Sequence, residues 1–309
     1  MKFAVKYIFI LFFTAVFFGC TKEDGVTPNW PRKTDLPGDT RAFSAVFTIS
    51  NKAYIGTGWN SSYLKDVWEY NPASDSWAQK TDFGGTARSG AVGFEISGYG
   101  YIGLGYYSPA YQTDLWQYNP SSNVWTQKNS LPAAGRSGAA AFVVNGLAYV
   151  GLGYNGSTYP KDFWQYNPGI NTWLQVSSFP AAGRQYSISS AIGNYGYVGM
   201  GETVQYYSDF YQYDPASNSW TQKTSYPSLI SRASSFTLNG ELYVGLGYDG
   251  NLYKGEFYNY DPASNAWQAK EILPAKRTNA VGFSINGRGY IAGGYDNEYL
   301  KDIYEYWPK

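Results

Sequence analysis

Residues 88–128 read RSGAVGFEISGYGYIGLGYYSPAYQTDLWQYNPSSNVWTQK, and residues 136–176 read RSGAAAFVVNGLAYVGLGYNGSTYPKDFWQYNPGINTWLQV. Both follow one pattern. An Arg opens a run of small and apolar residues, Ser89-Gly90-Ala91-Val92-Gly93-Phe94 in the first stretch. A tight turn follows, Asn145-Gly146 in the second, a dipeptide suited to the positive φ of a two-residue hairpin. The next run ends in Tyr101-Ile102-Gly103-Leu104-Gly105, and a Tyr-rich loop then leads to Asp114-Leu115-Trp116-Gln117-Tyr118. Asn119-Pro120 turns the chain toward Trp125.

The pattern recurs from Arg41, Arg88, Arg136, Arg184, Arg232 and Arg277, at spacings of 47, 48, 48, 48 and 45 residues. Four short strands at this period describe one blade of a propeller. A lone four-stranded meander leaves both faces apolar, so the units must stack to bury them. The small residues of the first strand suit a crowded centre. The glycines that end the second strand suit close backbone approach, and Tyr and Trp on the outer strands fill the widening gap between blades. The sixth repeat stops at Tyr304-Glu305-Tyr306-Trp307-Pro308, one strand short, whereas Asn29-Trp30-Pro31-Arg32-Lys33-Thr34-Asp35 matches the outermost strand at Ser76-Trp77-Ala78-Gln79-Lys80-Thr81-Asp82. The expectation is therefore an all-β, six-bladed propeller over residues 29–309, its last blade closed by an N-terminal strand from residues 29–37.

Composition agrees. The 309 residues are 44% hydrophobic, 19% aromatic and 15% charged, which excludes disordered and coiled-coil chains. There is no His and a single Cys. Ser-His-Asp and Cys-His nucleophiles, His-ligated metals and His-held haem are thereby excluded, and no cofactor or metal is expected.

Residues 1–19 read as a secretion signal, with Lys2 and Lys6 ahead of the apolar run Tyr7 to Phe18. Cys20 follows Gly19 in a segment that resembles a lipoprotein lipobox, with Phe17 where such boxes usually hold Leu or Val. Lipidation of Cys20 is expected, with residues 20–28 as a tether. Thr21-Lys22-Glu23-Asp24 resembles the signal that sends Bacteroidota lipoproteins to the outer face of the outer membrane. Removing residues 1–19 takes two lysines and no acid, leaving 21 basic against 23 acidic side chains, net −2. Such a protein offers no bulk charge to nucleic acid. It touches membrane through its anchor alone and is expected to be a monomer.

The Arg-led first strand, the Gly motif and the spaced Tyr and Trp resemble the kelch repeat across residues 29–309. Gly293-Gly294 is the adjacent pair of that family, and the other repeats carry Gly-X-Gly instead. The resemblance implies the propeller fold. For function it implies little, because propellers host many activities.

In an up-and-down blade, the starts of the first and third strands share one face with the loop between the second and third. That face is expected to gather the six arginines, the acids Asp66, Asp114, Asp162, Asp209, Glu256 and Asp302, and an aromatic set: Tyr63, Tyr111, Tyr159, Tyr206, Tyr253 and Tyr299, each three residues before its acid, with Trp59, Tyr106, Tyr154, Tyr248 and Tyr295 after the Gly motif. Arginines facing a channel mouth bind carboxylates bidentately, a use that resembles kelch proteins that capture acidic peptides. The competing reading is scaffold, with the arginines pairing with the acid ring or capping strand-end carbonyls. Six uncompensated arginines around one mouth would repel one another. The symmetry fails most in repeat four, where Glu202 replaces the aromatic and Gln185-Tyr186 replaces Ser-Gly, and in repeat one, with Phe43 and Trp59. Glu202 is the candidate acid/base group.

The leading expectation is a surface-anchored binding module, not an enzyme, that recognises a glycan, an acidic ligand or a protein partner. One alternative is an enzyme like the sialic-acid mutarotases and epimerases, to which extracytoplasmic kelch propellers are similar and whose chemistry needs neither His nor cofactor. A second is a protein-interaction scaffold without a small ligand.

Overall fold

The computed structural model describes Met1 and residues 30–308. The expected signal segment, the Cys20 anchor, the tether and Asn29 lie outside the described residues. Each repeat forms a four-stranded antiparallel meander. In blade one the strands are Ala45–Ile49, Lys52–Gly56, Val67–Asn71 and Ser76–Lys80. Blade six combines Val281–Ile285, Arg288–Tyr295 and Tyr299–Tyr306 with Arg32–Lys33 at its outer edge. Arg32 there pairs with Tyr304 and Lys33 with Ile303. The propeller thus has six blades and is closed through its N-terminal strand, as the sequence implied.

Alternation along the innermost strands divides core from channel. Phe47, Phe94 and Phe142 are buried between blades, while residues such as Val46, Gly93, Ala141, Ser189 and Ser235 line an axial cavity of about 420 Å³. Across the first two strands Phe47 stacks on Tyr54, Phe94 on Tyr101, Phe142 on Tyr149, Phe236 on Tyr243 and Phe283 on Tyr290, with centroids 5.1–5.3 Å apart. Each pair contributes about 0.5–1.5 kcal/mol beyond its buried area. Blade four departs again, with Ser190 opposite Tyr197.

Neighbouring blades are tied by a ring of tryptophans. The indole N–H of Trp77 donates to the Thr34 carbonyl, Trp125 to Thr81, Trp173 to Asn129, Trp220 to Ser177 and Trp267 to Thr224. Trp30 completes the circuit by donating to the Glu271 carbonyl at 3.1 Å. Its ring lies 4.8 Å from Tyr306 and 4.9 Å from Phe257.

The Gly-X-Gly departure from the kelch pair has a structural reason. Thr57, Leu104, Leu152, Met200 and Leu246, the X residues, adopt φ of 55–63°, and Gly293 takes φ 63° in blade six. This left-handed conformation ordinarily favours glycine. The five side chains are nevertheless buried at 0–2% exposure, so apolar packing offsets the strain in all but Thr57.

Candidate functional site

The arginines and acids that open the first and third strands meet within their own blades. In blade three, Arg136 donates from Nη1 to Asp162 Oδ1 at 2.6 Å and from Nη2 to Oδ2 at 3.0 Å. Its Nε reaches the Ala134 carbonyl at 3.1 Å, and Nη1 also reaches that of Leu152 at 3.3 Å. Arg41 with Asp66, Arg88 with Asp114, Arg184 with Asp209 and Arg277 with Asp302 repeat the clamp. The five arginines are 0–1% exposed. The expectation that Arg41, Arg88, Arg136, Arg184 and Arg277 face a ligand is therefore corrected: each guanidinium is spent on its own carboxylate and on backbone carbonyls. Burial works against the charge of Asp162, but bonds from Arg136 and Trp164 outweigh it and hold the carboxyl below the usual carboxylate range.

Arg232 is the sixth case, and its assignment to the same ring is also corrected. The Ile230 carbonyl accepts the Gly201 amide as the Arg184 carbonyl accepts Gly153 and the Arg277 carbonyl accepts Gly247. Ile230 thus occupies the arginine position of blade five, and Arg232 stands two residues further along. The signal was legible: Arg232 precedes its acid by 24 residues, whereas the other arginines precede theirs by 25 or 26.

That displacement puts Arg232 on a collar at the channel mouth. Phe43, Gly90, Gly138, Tyr186, Arg232 and Asn279 all have φ of 53–63°. Their backbones form a closed head-to-tail ring of N–H to carbonyl bonds, 2.8–3.2 Å long, each residue donating to its counterpart in the adjacent blade. Because every collar amide and carbonyl takes part, the side chains carry the individuality of the mouth. Phe43 and Tyr186 come from opposite blades and meet with ring centroids 5.5 Å apart. The Arg232 guanidinium carbon lies 5.0 Å from the Tyr186 centroid. With Asn279 and small residues they line a cavity of about 140 Å³.

Glu202 joins this group from the next layer outward. It is 4% exposed and accepts from Ser231 Oγ at 2.5 Å, Arg232 Nη2 at 2.5 Å and Arg232 Nε at 3.1 Å. Burial opposes the charge of Arg232, but the bonds to Glu202 more than compensate and raise its pKa. Burial also raises the Tyr186 phenol, which stays a neutral donor at physiological pH. Sequence reasoning placed Glu202 at the site but missed Ser231 and Asn279 and left Tyr186 and Phe43 without partners. With both oxygens engaged, Glu202 is arranged to position Arg232 more than to move a proton.

The aromatic set forms a belt around the collar. Ring contacts run Trp59–Tyr63–Tyr106–Tyr111–Tyr154–Tyr159 and Tyr206–Tyr248–Tyr253–Tyr295–Tyr299, with centroids 4.5–6.1 Å apart. All are half-buried, and Glu202 stands between the two runs. Among the described residues no cluster of three or more His, Cys, Asp or Glu offers a metal site. Asp249 is held by Lys254 at 2.5 Å, which lowers its carboxyl to about 2.

Residues 135–180 match the Kelch motif. No curated protein matches the chain. A solved structure titled "Structure of YjhT" is similar with a TM-score of 0.76 at 18% identity, covering 88% of this chain and 96% of that one. The chain is thus a six-bladed β-propeller that carries a Kelch motif.

Proposed function

We propose that this propeller is a binding module that recognises a glycan on its aromatic face. The observation that carries the reading is the belt: eleven half-buried Trp and Tyr rings surround a polar mouth. Aromatic rings present flat apolar area with a polar edge at little entropy cost, which suits the apolar faces and hydroxyl rims of sugars. Arg232 and Asn279 supply donors at the centre. Five arginines are locked in clamps, so a carboxylate on the ligand has Arg232 as its partner at the mouth, and Glu202 already offsets that charge. Stacking on the belt therefore dominates over charge.

The test is a glycan array followed by calorimetry with the best hit. Substituting Trp59 and Tyr248 with Ala should each weaken binding by about tenfold, ~1.4 kcal/mol, and Arg232→Ala should abolish preference for acidic sugars. Undiminished binding in the Trp59→Ala, Tyr248→Ala double variant overturns the reading. The mutarotase-like alternative draws on Glu202, Arg232 and Tyr186 sharing one mouth. NMR measurement of N-acetylneuraminate anomer exchange separates the two, since acceleration lost in Glu202→Gln would replace the binding reading with an enzymatic one. We further propose that Cys20 carries the module on a lipid anchor at the cell surface, checked by incorporation of labelled palmitate that a Cys20→Ser variant loses.

A further inference from the structure

Blade five lacks its arginine but keeps the surroundings in which the other blades hold one. The acid remains as Glu256, now exposed, with Oε2 accepting the Gly255 amide at 3.0 Å. By register Ser228 and Leu246 hold the positions of Ala182 and Met200, whose carbonyls accept from Arg184, and Ser228 lines the opening. Tyr226 occupies the place of Phe179, whose ring lies 5.2 Å from the Arg184 guanidinium carbon, and Tyr258 that of Tyr304, 5.3 Å from Arg277. What replaces the guanidinium is an opening of about 100 Å³ lined by Tyr226, Ser228, Ile230, Lys254, Glu256 and Tyr258. The Lys254 charge is neutralised by Asp249.

We propose that this cavity accepts a guanidinium from outside the chain, the arginine side chain of a peptide or protein partner. The other five blades serve as its template: each gives its guanidinium a carboxylate and two carbonyls, and blades two, four and six add an aromatic ring, a set that selects a planar fork of donors over a compact ammonium. The rim points to a peptide as the source. Leu229, Leu252 and Ile272 are 55–58% exposed. Leu229 precedes Ile230, Leu252 lies two residues before Lys254, and Ile272 abuts Gly255. Apolar residues around a buried charged anchor are the usual anatomy of a hot spot. This site lies apart from the collar and does not depend on glycan recognition there.

Titration of the full chain with ethylguanidinium, ethylammonium and the capped peptide Ac-Leu-Arg-Leu-NH2, read by calorimetry, tests the proposal. Ethylguanidinium should bind about tenfold more tightly than ethylammonium, and the peptide more tightly still. Glu256→Gln should weaken both guanidinium probes by about tenfold. Ile230→Arg should fill the cavity, raise the melting temperature and abolish binding; should that variant fail to fold, Glu256→Gln carries the test. A peptide no tighter than ethylguanidinium refutes the peptide source. Absence of binding, or binding indifferent to Glu256→Gln, refutes the site.

Discussion

Blades three and five are built on the same strand plan and differ at the mouth end of their first strand. In blade three Arg136 is buried, bonded at every nitrogen, and turned away from any ligand. In blade five Ile230 takes that position, and the guanidinium reappears two residues on as Arg232, 31% exposed and paired with a Glu from the neighbouring blade. Repetition marks what every blade needs to stand beside the next. Departure from it marks where the face differs from a symmetric scaffold, and the two departures here are coupled, since Glu202 of blade four answers Arg232 of blade five.

If that distinction holds, damage to a repeated element costs stability and damage to an exceptional one costs recognition. The largest effect should come from Trp30→Ala, which opens the tryptophan circuit at ring closure and empties a buried site. A loss of about 3–5 kcal/mol is expected in urea unfolding, and a loss below ~1 kcal/mol would mean that the terminal strand does not hold the ring together. Arg136→Ala should cost about 3 kcal/mol, somewhat reduced because Asp162 retains 20% exposure, and should leave the ligand face working in the molecules that remain folded. Glu202→Gln should cost only about 1–2 kcal/mol while freeing Arg232, so that affinity for acidic sugars changes more than stability does. The reverse ranking of these two variants would erase the contrast between scaffold and mouth.

Acid sharpens the comparison further. The folded Asp162 carboxyl lies below its usual range, so its stabilisation is complete above the unfolded value near ~4 and is lost as pH falls through the lower folded value. Asp162→Asn should therefore flatten the acid limb of a stability-against-pH curve. The smallest stability effect belongs to Trp59→Ala at the half-buried belt, within about 0.5 kcal/mol, with its consequence confined to binding.

The fold was legible because its evidence is local and repeated six times: turn dipeptides, alternating strands and a Trp that returns at the same phase. The site was legible only where it broke the repeat at an obvious residue. Glu202 stood out as an acid in an aromatic column, whereas Arg232 was hidden by looking like the other five, its misregister visible only in the shorter intervals to Glu256 and to Arg277. Phe43 and Tyr186 showed only as separate departures from the repeat; that their rings meet had no signal, since they lie on opposite blades that nothing in the chain brings together until the ring closes.

Sequence alone determined the blade count, the closing strand and the face on which the loops collect, because hydrophobic periodicity and turn chemistry act over a few residues and specify each sheet without reference to the rest. Only the assembled ring decided which charges are spent and which remain accessible. Pairing depends on distance in space and on desolvation, and an arginine two residues out of phase meets a different carboxylate, in a different blade, with a different exposure to water.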